Sequence, residues 1–106
     1  MRALGVAVAG LVFAASAHAA GDPVAGKRVF KTKCGSCHTL KSAGTVAKSP
    51  SAGPVLTGKR ETAARIMKEL SGAGAGLMPT FVGVLTTKQV NDVVAFVVVA
   101  SKPASS

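Results

Sequence analysis

Cys34-Gly35-Ser36-Cys37-His38 is the stretch on which the fold turns. It spells C-x-x-C-H, the attachment signature for c-type haem. The logic is geometric. Two thiols three residues apart can add to the two vinyl groups on neighbouring pyrrole rings, and a histidine directly after the second thiol is then held under the iron as an axial ligand. Zinc would want four nitrogen or sulfur ligands, and Cys34, Cys37 and His38 are one short and crowded into five residues. A dithiol redox site would be expected inside a βαβ pattern, and none is visible.

The rest of the composition has to accommodate that group. With 106 residues the chain holds one small fold, with or without a leader. Apolar residues make up 48% and charged residues 16%, and 13 Lys+Arg against 4 Asp+Glu give a net charge of +9. These values exclude an acidic disordered chain. Four Phe with no Trp and no Tyr argue against base stacking on exposed rings, and no recognition motif points to nucleic acid. Two cysteines are too few for a disulfide framework, so something else must supplement the core. A haem would do so, burying its apolar surface at about 25 cal/mol per Å².

The chain opens Met1-Arg2, continues with uncharged residues from Ala3 to Ala17, and reaches Ala17-His18-Ala19. A positive start, a short apolar middle and an A-x-A end predict a secretory signal peptide over 1–19, cleaved after Ala19. Its apolar run is shorter than the roughly 20 residues of a spanning helix. Residues 20–106 then form the mature domain, expected in the periplasm, with 12 cations against 4 acids, or +8. His38 is the only histidine left in it.

Three short helices are predicted. Asp22-Pro23 ahead of Gly26, Val29 and Phe30 reads as an N-cap, a proline in the first turn and a buried face, with the helix ending near Lys33. Residues 41–54 lack periodicity and read as a loop long enough to wrap around something. Ala63, Ile66, Met67 and Leu70 share a face of a second helix, supported by Glu61/Arg65 and Arg65/Glu69 pairs and stopped by Ser71-Gly72. Gly72 to Gly76 alternate glycine and alanine, allowing close approach of backbone to a flat object. Thr86 and Gln89 form a capping box ahead of Val90, Val93, Val94 and Val97, which predicts a third helix over a competing β-branched strand.

In this arrangement the sequence resembles the class I cytochromes c, among them the small soluble monohaem bacterial type. The resemblance spans most of residues 21–100. Besides the haem motif it rests on Gly26-x-x-x-Phe30, Gly53-Pro54-x-Leu56-x-Gly58, Met78-Pro79-x-Phe81 and Val93-Val94-Ala95-Phe96-Val97. It implies an all-α fold of short helices and loops around one covalent haem c. It implies further that the first and last helices cross, with Gly26 admitting the close approach and Phe30 and Phe96 packing there. The family pattern makes His38 and Met78 the iron ligands and has the Pro54 carbonyl accept the Nδ1 hydrogen of His38. Met67, the competing thioether, has the setting of an ordinary core residue.

Iron ligated on both sides by protein has no open position for a substrate, so the expected function is one-electron transfer by a periplasmic carrier and not catalysis. Cationic residues crowd the haem-binding half and should steer the protein, as a monomer, to redox partners with acidic docking surfaces. Contact with anionic membranes would be peripheral at most. Two other functions fit the same motif: a haem-bearing electron-transfer subunit of a specific dehydrogenase, and a haem enzyme or sensor whose distal position is open. The sequence departs from many relatives in lacking a Trp or Tyr for the propionates, leaving Lys48, Thr57, Lys59 and Arg60 as candidates.

Overall fold

Asp22 starts the first helix as its N-cap, with extended backbone and a carboxylate that accepts from the Val24 N–H at 2.9 Å. Pro23 follows at the first helical position, where its missing N–H costs nothing. The computed structural model describes residues 21–49, 52–72 and 78–103. The expected leader over 1–19 and most of the glycine-alanine run lie outside them. Helix α1 spans Pro23–Lys33, α2 spans Ala63–Leu70 and α3 spans Thr87–Ala100. A 3-10 turn at Lys41–Ala43 interrupts the segment expected as plain loop. Among the described residues the only β-pairing is two isolated bridges, Leu40 with Thr45 and Val82 with Leu85. Among the described residues the fold is all-α, as the resemblance to the class I cytochromes c implies.

The valine-rich run of α3 is helical despite its β propensity. The capping box forms in full, with Gln89 N–H donating to Thr86 Oγ1 at 3.1 Å and Thr86 N–H to Gln89 Oε1 at 2.9 Å. Helical spacing then buries Val93, Phe96 and Val97 together. Tertiary burial of this stripe outweighs the weak local preference of valine.

Helices α1 and α3 pack against each other although they are far apart in sequence, Asp22 and Asp92 at the crossing being 70 residues apart. Phe30 and Phe96 meet at a centroid separation of 5.9 Å, tilted by 57°, a geometry favoured by the ring quadrupoles. Gly26 makes this possible: a Cβ there would strike the backbone carbonyl of Asp92 and come within 2.9 Å of the Phe96 Cβ.

Asp92 is buried at the same crossing. Its carboxylate accepts the Asp22 backbone N–H at 2.8 Å and the Lys88 ammonium at 2.6 Å. The first of these bonds, and then Lys88, hold its pKa below the ordinary value of 3.8. A folded-state pKa below the unfolded one stabilises the fold at pH above the ordinary value, and this contribution is lost as pH falls through the folded pKa. Acid titration of folding should therefore show Asp92→Asn less stable than the parent near neutrality, the gap narrowing below about pH 4.

Helix α2 departs from the sequence expectation in its face. Thr62 caps it, accepting from Arg65 N–H at 3.1 Å, and Gly72 ends it with φ +83°. Leu70 is buried and Ile66 partly so, but Ala63 is exposed and Met67 is 45% exposed. Met67 is thus no core residue within the protein itself; an eight-residue helix turns only one edge to the core. Arg65 pairs with Glu61 at 3.2 Å and not with Glu69.

Candidate functional site

The C-terminal end of α1 sets up the motif. Cys34 N–H donates to the Phe30 carbonyl at 2.8 Å, and Gly35 N–H donates to the same oxygen at 2.9 Å, closing the helix. The chain then turns tightly, with Cys37 and His38 N–H groups both directed to the Cys34 carbonyl at 3.1 and 3.0 Å. This turn gathers the backbone of the three motif residues, within five consecutive positions, at the helix end. Cys34 is buried beside Phe30, whereas Cys37 is exposed. Burial, reinforced by the neighbouring Cys37, pushes the Cys34 thiol up to about 11.

His38 is half-buried and its Nδ1 lies 2.8 Å from the Pro54 carbonyl oxygen. A carbonyl can only accept, so Nδ1 carries the hydrogen and the lone pair resides on Nε2. The backbone that carries the ring is held by the following loop: Thr45 Oγ1 donates to the His38 carbonyl at 2.9 Å, and Leu56 N–H donates to the Thr39 carbonyl at 2.9 Å. Gly53 lies flat against the imidazole. A Cβ there would sit 2.9 Å from His38 Cε1 and 2.8 Å from the Cys37 carbonyl oxygen, so only glycine leaves the ring its place.

Met78 lies beyond helix α2 in the sequence. It is partly buried and packs with Leu56, Ile66, Phe81 and Val94 against the core formed by Phe30, Leu40, Leu70 and Phe96. Its segment is tied to the end of α2 by Phe81 N–H, which donates to the Leu70 carbonyl at 2.8 Å. The donor set fits a haem: two free thiols, an imidazole with Nε2 as its free lone pair, and a soft thioether among apolar side chains. The glycine-lined seat of the imidazole adds an orientation that a random histidine lacks.

Eight cations and no acid occur between Pro23 and Arg60, and all eight are exposed. Of the propionate candidates, Thr57 Oγ1 is engaged as acceptor of the Lys41 backbone N–H at 2.9 Å. Sequence reasoning overlooked Asp92 and Thr80. For Asp92 a signal existed, a carboxylate inside an apolar helical run with Lys88 four residues before it. Thr80 carries no local signal, because its partner lies ten residues away in the previous helix.

Among the described residues no helix is long and apolar enough to cross a membrane. Residues 21–97 match the family model described as cytochrome c oxidase, cbb3-type, subunit III. The chain is also similar to a cytochrome c2 from Rhodomicrobium vannielii, 51% identical over 57 residues that cover 52% of this chain. That match spans only 42% of the relative's length. With a C-x-x-C-H motif at the end of α1 and a family match over most of its length, the chain belongs to the cytochrome c oxidase cbb3-type subunit III family as a small class I c-type cytochrome, a family of covalent haem c proteins.

Proposed function

We propose that the protein is a periplasmic one-electron carrier, processed after Ala19, in which domain 20–106 holds a single haem. Cys34 and Cys37 form the thioether links, His38 and Met78 ligate the iron, and Pro54 fixes the imidazole. The observation that carries this reading is the 2.8 Å contact from His38 Nδ1 to the Pro54 carbonyl, which makes Nε2 the basic nitrogen. Such an outer hydrogen bond orients a ligating ring and raises its basicity.

Haem iron, once bound, supplies reversible exchange between ferric and ferrous states. The protein's residues govern how readily it does so. A thioether from Met78 favours the ferrous state, and the surrounding Phe30, Leu40, Leu70 and Phe96 keep water away from the charged ferric form. Two protein ligands exclude small molecules, so the chain is a carrier and not an enzyme. Its acid-free cationic half supports encounter with acidic faces of redox partners, as a monomer, at rates that fall with salt.

Absorption spectra and intact mass of the exported protein test this reading. The expected result is the mass of chain 20–106 plus one haem, a ferric thioether-to-iron band in the far red, and slow carbon monoxide binding when reduced. Bare polypeptide mass would overturn covalent attachment. A missing band with rapid carbon monoxide uptake would overturn Met78 ligation and favour the open-site enzyme or sensor.

A second reading has its own support: the matched family's description is that of an oxidase subunit. As a dedicated electron-transfer subunit the protein would co-purify with a large membrane enzyme at physiological salt, whereas a shuttle would be recovered free.

A further inference from the structure

We infer that Thr80 is the positioning residue that keeps Met78 at its post, by clamping the Met78-Pro79-Thr80-Phe81 segment onto the carbonyl that ends α2. The inference rests on the proposal that Met78 is the sixth ligand, and adds what holds it there. Leu70 is the last residue of α2, and its carbonyl has no partner within the helix. It accepts two hydrogen bonds from the segment, one from Phe81 N–H at 2.8 Å and one from Thr80 Oγ1 at 3.4 Å. Thr80 Oγ1 in turn accepts the Val82 N–H at 3.1 Å. A single hydroxyl thus donates backward to the helix and accepts forward from the chain, using both its functions.

The seat is shaped for this side chain. Gly72 adopts φ +83°, and a Cβ on it would lie 2.9 Å from the Thr80 Cβ. Glycine at the helix end therefore allows the threonine to lie directly on the turn that terminates α2. Pro79 has no N–H to donate, and the sequence from Gly72 to Gly76 offers no side chain larger than a methyl. Thr80 is itself exposed, so its hydroxyl contributes hydrogen bonds and little buried volume. Removing it should free the Met78 end of the segment while sparing the core.

Imidazole binding to the ferric holoprotein tests this, since entry of the external ligand waits on departure of the thioether. Thr80→Val keeps the shape and deletes both hydrogen bonds; Thr80→Ser keeps the hydroxyl. The expected result is roughly a fivefold faster limiting rate of imidazole entry for Thr80→Val, the factor for an ordinary net hydrogen bond, with Thr80→Ser within about twofold of the parent. A hydroxyl that merely stabilised the fold would lower the denaturant midpoint and leave imidazole entry under native conditions unchanged. Met78→Ala is the control. If it abolishes the thioether band while Thr80→Val binds imidazole like the parent, the role of Thr80 is overturned and Met78 ligation stands. If Met78→Ala retains the parent's band, Met78 is not the ligand and the role of Thr80 falls with it.

Discussion

The Cys34→Ser/Cys37→Ser double variant, exported by a host that attaches haem and freed of any loosely held haem, is expected to lose roughly half or more of its helical ellipticity and its cooperative unfolding transition. The argument is one of size. Helices α1, α2 and α3 have 11, 8 and 14 residues, and helices below about 12–15 residues are marginal in water without a partner face. Among the described residues Phe30 and Phe96 are the only aromatic ones in the buried core. Met78, Phe81, Leu56, Ile66 and Val94 touch it only in part. A large flat apolar group among these side chains would complete the core; without it the hydrophobic term is too small to offset chain entropy. Far-ultraviolet circular dichroism with urea titration checks the prediction, and retention of a sharp transition by the double variant would refute it.

The second large effect is at the helix crossing. Gly26→Ala is a test of sign. On helix propensity alone alanine should stabilise α1 by about 1 kcal/mol. On packing it should destabilise, because its methyl would run into the backbone carbonyl of Asp92 and press on the Phe96 Cβ at 2.9 Å. Backbone cannot swing aside as a flexible side chain can, and overpacking costs about 1–3 kcal/mol. The net expectation is a loss of up to about 2 kcal/mol for alanine and more for valine, read from denaturant midpoints of the holoproteins. A rise in stability for Gly26→Ala would mean that the helices are further apart than described.

Much of this molecule was legible in its sequence because the informative signals are local. Asp22-Pro23, the Thr86/Gln89 box and the Ser71-Gly72 stop are short-range capping devices, and each marks a helix end in the structure. The haem motif is likewise five consecutive residues. What local pattern could not supply is which side of α2 faces inward: Ala63 and Met67 share its periodicity with Leu70, yet only the Leu70 edge is buried. Nor could it find Asp92, whose partner Asp22 is 70 residues away, or the clamp from Thr80 to Leu70. Close approach is visible in sequence only where it demands a special residue, as at Gly26.

The pairing of the first helix with the last also sets an order of events. Any machine that delivers the chain amino end first, whether ribosome or secretion channel, releases α1 and its two thiols well before the stretch from Thr87 to Ala100 that packs against them. Until that stretch arrives, α1 lacks its main packing surface and the Cys34 sulfur, buried in the folded protein, stays open to modification. The topology thus keeps a window for chemistry on the nascent chain, and closes it over Cys34 only once Thr87–Ala100 has emerged.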